Sequence, residues 1–194
     1  LIPNNPARLL RRARCAPPPP RALHDDEQKR LLDVLAAATG AEARRDEMLV
    51  YLLLGCGIRI GSALALDVAD IDFAHGELRI RKAKNDRPCA VLLPKAIAAR
   101  LQTFIDTRTA GPLFLANDRC VSTRHAQRRL AAWLTAAGVA GKSAHALRHT
   151  FATRIYRQTG DLLVTQQALG HASIASTVVY ARVDRTRLRE VVGA

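Results

Sequence analysis

At 194 residues the chain is long enough for one good-sized domain with an extension, and its 48% apolar content is ample for a core. A formal net charge of +13 calls for an anionic partner, nucleic acid ahead of a membrane surface. Four scattered cysteines (Cys15, Cys56, Cys89, Cys120) form no C-x-x-C pair, and thus neither a zinc pattern nor a disulfide framework. No apolar run reaches the roughly 18 residues of a membrane span, and the start lacks a signal-peptide layout, so a cytoplasmic protein is expected.

In chain order, residues 1–23 read as a linker: "NNPARLLRRARCAPPPPRAL" carries a run of four prolines at 17–20, which cannot sit inside a helix. The chain does not begin with Met, and a preceding N-terminal part joined through this arm is expected. Residues 24–194 read as the folded domain. "HDDEQKRLLDVLAAATG" is a helix with acids in its first turn and Gly40 just past its end. "AEARRDEMLVYLLLGCG" is a second, more buried helix, and "SALALDVADI" a short third one. The period changes in "GELRIRKAKNDRPCAVLLP", where apolar Leu78, Ile80 and Ala90 to Leu92 flank a polar tip, the pattern of a β-hairpin. From Lys95 the helical period returns through "KAIAARLQTFIDT", "TRHAQRRLAAWLTAAG", "SAHALRHTFATRIY", "DLLVTQQALG", "SIASTVVYARV" and "DRTRLREVV". The expected fold is mainly α with a small antiparallel β-sheet.

Two features exceed what folding needs. From Arg119 to Gly160 there is no Asp or Glu, yet there are seven arginines and Lys142; a merely solvated surface would mix signs. In "SAHALRHTFATRIY" the stripe Ala144, Leu147, Phe151, Ile155 is what a core-facing helix requires, while His145 and Arg148 stand one turn apart on its edge. Further candidates are Arg59 in "GCGIRIG", Lys82 and Lys84 on the hairpin tip, and His171 and Tyr180 in "LGHASIASTVVY". Each alone has an ordinary reading as a surface, capping or core residue. Together they suffice to cut a phosphodiester without metal. Two arginines bind the non-bridging oxygens, histidines hydrogen-bond the phosphate and move protons, a lysine protonates a leaving oxygen, and a tyrosine attacks. A zinc reading of His145 and His149 fails, because "HALRH" lacks the glutamate of the metalloprotease motif and sets a cation between the two ligands.

The order Arg, hairpin Lys, H-x-x-R, L-G-H, then Tyr nine residues later resembles the tyrosine recombinases, the phage integrase family. The likeness runs from about Leu23 to the C-terminus and rests on "HALRHTFAT" and "LGHASIASTVVY". It implies a tyrosine recombinase catalytic domain over residues 24–194, preceded by the linker to a core-binding domain. It further implies that Tyr180 attacks the scissile phosphate to form a 3′-phosphotyrosyl bond, that Arg59 and Arg148 neutralise the charge growing on phosphorus, and that His145 accepts a proton. His171 would hold a phosphate oxygen, and Lys82 would protonate the leaving 5′-oxygen. No cofactor is implied: the phosphotyrosine conserves bond energy, so neither ATP nor metal is called for. The implied partners are double-stranded DNA and further copies of the chain, as a homotetramer on synapsed sites assembled through the C-terminal helix at "DRTRLREVVGA".

Two departures from the family pattern stand out. Ser62 occupies the place three after Arg59 where the family often has an acid, and "RKAKNDR" replaces the commoner glycine-rich turn, which leaves Lys84 as an alternative to Lys82. The rival functions on the same residues are a type IB topoisomerase and a DNA-binding regulator without catalysis. Tyr51, inside "MLVYLLL", and Tyr156, roughly 12 Å beyond Arg148 along one helix axis, are not expected to reach the phosphate.

Overall fold

A computed structural model describes residues 22–81, 88–117, 119–139 and 141–170. Helix α1 (Asp25–Ala37) opens with Asp25, Asp26 and Glu27 against its positive end, and the His24 N–H donates to the Glu27 carboxylate at 2.8 Å. Gly40 does not end this helix. Its φ of +97° starts the next one, α2 (Ala41–Cys56), while α1 closes at Ala38 in extended backbone. Helix α2 is the centre of the molecule, and its sequence shows why: apolar residues run almost continuously from Met48 to Leu54, so it has no wet face there. Packed around it are α1, α4 (Lys95–Ile105), α5 (Thr123–Ala136) and α6 (Ala144–Thr159).

The expected third helix over residues 62–71 breaks into three pieces: α3 (Ile60–Leu64), a 3-10 turn (Val68–Asp70) and strand β1 (Ile71–Asp72). Local chemistry explains the break. The Asp67 N–H donates to the Asp70 carboxylate at 2.9 Å, an alternative to the helical ladder that aspartate offers its own backbone. On either side, Val68 N–H donates to Gly111 O and Leu113 N–H to Leu66 O, pulling the segment toward the chain after α4. Strand β1 then pairs antiparallel with β2 (Glu77–Ile80), which pairs with β3 (Cys89–Leu92) in the register Leu78↔Val91 and Ile80↔Cys89. Leu78, Ile80 and Val91 face the core, so the hairpin read from alternating hydrophobicity is present. A second two-stranded sheet, β4 (Leu115–Ala116) with β5 (Arg119–Cys120), was not expected; two-residue strands carry no period to read.

Helix α6 buries more than its apolar stripe. Leu147 and Phe151 are buried and Ala144 and Ile155 half-buried, but Arg148, Thr150 and Thr153 are also buried, because α6 is clasped by α2 on one side and α7 (Leu162–Leu169) on the other. Among the described residues, no helix is long and apolar enough to cross a membrane.

Candidate active site

The site is built where two helices end. Helix α2 stops at Gly57, whose φ of +61° suits glycine, and a Cβ there would lie 2.2 Å from the Phe151 ring. Helix α7 stops at Gly170, also left-handed at φ +60°. Between these ends lies Arg148, only 6% exposed. Its guanidinium donates one hydrogen bond to the carbonyl of Gly57 and another, at 2.9 Å, to that of Leu169. Helix C-termini present unsatisfied carbonyls and partial negative charge, so a buried cation is favoured there on both counts. Neither α2 nor α7 carries a basic residue in its own last turn. Helix α6 supplies it to both.

This junction assembles the sequence motifs. Arg59, half-buried, is two residues past Gly57, hence within roughly 7 Å of it along the backbone. Its own carbonyl accepts the Ala63 N–H at 2.9 Å and starts α3, which fixes the backbone from which the side chain leaves. His145 is exposed one turn before Arg148. Strand β3 also reaches the junction: a Cβ on Gly170 would sit 3.5 Å from the Cys89 sulfur. The backbone of Arg59 and the turn of α6 that carries His145 and Arg148 thus flank the end of α2, and the start of β3 meets the adjoining end of α7. Lys82, Lys84, His171 and Tyr180 lie outside the described residues, as do the segments read as the last two helices and residues 1–21 of the segment read as a linker.

The sequence reading considered His149 only as a metal ligand, but the structure gives it a place in the site. It is half-buried, with its ring 5.6 Å from that of His145 in an edge-on arrangement. Burial, reinforced by His145 and Arg148, holds its pKa below the ordinary histidine value, which keeps it neutral beside the guanidinium. Among the described residues no group of three His, Cys, Asp or Glu could hold a metal ion. Cys56, at the end of α2, is no rival nucleophile, since burial pushes its thiol up to about 12. Tyr51 is half-buried rather than buried, with the Arg100 guanidinium 4.1 Å over its ring, in a cleft between α2 and α4 away from Arg148. Tyr156 packs half-buried with Phe151 and Leu169.

The acid-free segment divides. Arg129 donates to the buried Asp46 carboxylate at 2.7 Å, and the Trp133 indole N–H donates to the same oxygen at 2.9 Å. Lys142 donates to Ala22 O at 2.8 Å and sits 3.8 Å from Glu27. Arg154 donates to Leu54 O at 3.0 Å, another carbonyl at the end of α2. Arg119, Arg124, Arg128 and Arg157 remain exposed.

A model of the phage integrase family matches residues 21–187. Tyrosine recombinase XerC of Chromobacterium violaceum is 34% identical over 168 residues, 83% of this chain and 55% of the relative. Tyrosine recombinase XerA of Pyrococcus furiosus is 29% identical over 170 residues, 84% of this chain and 58% of the relative. The chain therefore spans about half the length of the curated relatives it matches. Among solved structures, that of a XerA recombinase superposes with a TM-score of 0.76 at 30% identity, covering 92% of this chain and 65% of that one. A XerH site-specific recombinase, captured after cleavage on its difH substrate, superposes with a TM-score of 0.74 at 26% identity, covering 89% and 52%.

Proposed function

The chain belongs to the phage integrase family, and on that footing we propose that it is the strand-breaking and rejoining unit of a site-specific DNA recombinase. The observation that carries the reading is Arg148, buried and held by the carbonyls of Gly57 and Leu169, with Arg59 two residues beyond Gly57 and His145 one turn before Arg148 on α6. A guanidinium preorganised by backbone acceptors does not have to be ordered as negative charge develops on the phosphate. That preorganisation is the largest single source of rate in such sites.

In the proposed reaction the Tyr180 oxygen attacks the scissile phosphorus of double-stranded DNA and gives up its proton, with His145 as the acceptor. The phosphorus–5′-oxygen bond breaks as Lys82 donates a proton, leaving a 5′-hydroxyl and a 3′-phosphotyrosine. Arg59 and Arg148 carry the charge of the pentacoordinate state, and His171 holds a phosphate oxygen. A 5′-hydroxyl from a partner strand then reverses each transfer. One phosphodiester is exchanged for another at every step, so the scheme balances without ATP. Partner-strand exchange needs several copies on paired DNA sites, and a homotetramer joined through the C-terminal helix is the assembly we propose. The names of the relatives favour recombination over topoisomerase-like relaxation.

Trapping the covalent intermediate tests the reading. On a nicked duplex from the DNA flanking the coding region, the protein should form an adduct that survives denaturation. Tyr180→Phe should abolish the adduct while leaving DNA binding within about twofold, since one hydroxyl is lost. An undiminished adduct in Tyr180→Phe would overturn the mechanism.

A further inference from the structure

The hairpin tip of this chain lacks the glycine-rich turn of its family, and in its place the sequence sets an arginine directly before Lys82. That arginine has a partner. The Arg81 Nε donates to the Asp70 carboxylate at 2.7 Å, and its guanidinium lies 3.8 Å from Asp67. Asp70 is only 4% exposed, and its second oxygen accepts the Asp67 N–H at 2.9 Å. The 3-10 turn that carries Asp70 is itself tied down, by Val68 N–H to Gly111 O at 2.9 Å and Leu113 N–H to Leu66 O at 2.8 Å. Arg81 therefore reaches sideways from the end of β2 to a rigid acceptor outside the hairpin.

We propose that Arg81, clamped by Asp70, is a positioning residue for the general acid, fixing where the chain leaves β2 so that the following lysine meets the departing 5′-oxygen. The inference rests on the reading of Lys82 as proton donor. The pair also serves the fold, since Asp70 is buried and loses its cation if Arg81 is removed; a merely structural role would slow cleavage alike whatever the leaving group. What a clamp on one exit supplies is direction. The other exit is already held, because Cys89 at the start of β3 packs against the Gly170 turn beside Arg148. A proton donor must come within hydrogen-bond reach of the leaving oxygen, and a displacement of about 1 Å can cost up to 10²-fold in rate. A chain without a glycine turn to set the exit angle at β2 meets that demand with a side-chain anchor. Arg81 also has a rival role as a phosphate contact on DNA, and the two roles separate experimentally.

The experiment is single-turnover cleavage by the intact protein on two nicked duplexes from the DNA flanking the coding region. One has the natural 5′-oxygen and the other a bridging 5′-sulfur, which leaves as a thiolate without needing a proton. Arg81→Ala, and Arg81→Met as a second variant that keeps the stem, should cleave the oxygen duplex about 10 to 100-fold slower and the sulfur duplex within about threefold of the parent. Asp70→Asn should show the same pattern, and Asp70→Asn/Arg81→Ala should lose no more than either alone, as expected of residues acting as one unit. Equal slowing on both duplexes, or weaker DNA binding that accounts for the loss, overturns the proposal, as does an unchanged rate. Lys82→Ala is the reference. If sulfur rescues Lys82→Ala but not Arg81→Ala, the positioning role alone is wrong; if sulfur fails to rescue Lys82→Ala, the general acid and the positioning role fall together.

Discussion

Helices α5 and α6 carry arginines from the same acid-free stretch of sequence and use them in opposite ways. On α6, Arg148 and Arg154 point inward, and each donates to carbonyls at the end of α2. On α5, Arg124 and Arg128 stand in solvent. Arg129, one residue further, turns back to Asp46 and Glu42 on α2. The difference follows from position in the fold. Helix α6 is enclosed by α2 and α7 along much of its length, and a charge on that enclosed face persists only by satisfying buried acceptors, whereas Arg157 in its last turn is exposed. Helix α5 keeps one face open, and its cations there remain available to a polyanion. A single block of positive charge thus divides into a structural half, which shapes the site, and an exposed half, which on the proposed function is the one open to DNA.

The largest test of this division is Arg148→Ala. It removes the donor to two buried carbonyls, each costing about 1–3 kcal/mol when left unpaired, and on the proposed mechanism it also removes transition-state charge stabilisation of roughly 10²–10³ in rate. Both the melting temperature and the single-turnover cleavage rate should fall. Arg59→Ala should slow cleavage on a similar scale with a much smaller shift in melting. A variant at Arg148 that lost cleavage with unchanged stability would show that its bonds to Gly57 and Leu169 do not hold the junction together.

The complementary test lies on α5. Arg124→Ala/Arg128→Ala removes two exposed cations, of which Arg128 reaches the His125 ring one turn away on the same helix at 3.3 Å. Stability should stay within about 0.5 kcal/mol. DNA affinity should drop, and the slope of log affinity against log salt should fall by roughly 2, about 0.9 for each phosphate no longer neutralised. The measurement is a binding titration from low to physiological ionic strength. An unchanged slope would mean that the exposed half of the segment does not meet DNA.

Helices α1, α2, α4, α5, α6 and α7 and the β2–β3 hairpin were legible because hydrophobic period is a local property, readable in a window of a dozen residues. The H-x-x-R pair and the glycine before Arg59 were legible as motifs for the same reason. What was not legible is the division of the arginines. Arg148 meets a carbonyl 91 positions away and Arg129 a carboxylate 83 positions away, and nothing in "RHAQRRL" or "ALRHTFATR" distinguishes an inward guanidinium from an outward one. The clamp on Arg81 was hidden for a related reason. Its partner Asp70 sat inside what read as a helix, and only the break of that helix into a 3-10 turn and strand turns the carboxylate toward β2. Gly57 stands at the end of the string read as the second helix, but that the Phe151 ring excludes a side chain there is a fact of tertiary packing.

The smallest expected effect concerns His149, which shares the enclosed side of the comparison with Arg148. Its pKa in the folded chain is held below the ordinary value near 6.5, first by burial and then by His145 and Arg148. In the unfolded chain those causes vanish. Between the two pKa values the unfolded state binds more protons, so stability rises with pH across that window. The contribution is fully present above about pH 6.5 and is lost as pH falls through the folded-state value. His75, exposed and paired with Asp72 at 2.9 Å, is shifted upward and works in the opposite sense, but solvent screens it. The difference between the parent and His149→Gln therefore isolates the effect. Melting temperatures from pH 5 to 8 should converge toward the acidic end, where the parent must charge a histidine beside a buried guanidinium and the glutamine variant need not. Parallel profiles would mean that the imidazole is not enclosed with Arg148 in solution, and the inward half of the segment would then shrink to the two α6 arginines and Arg129.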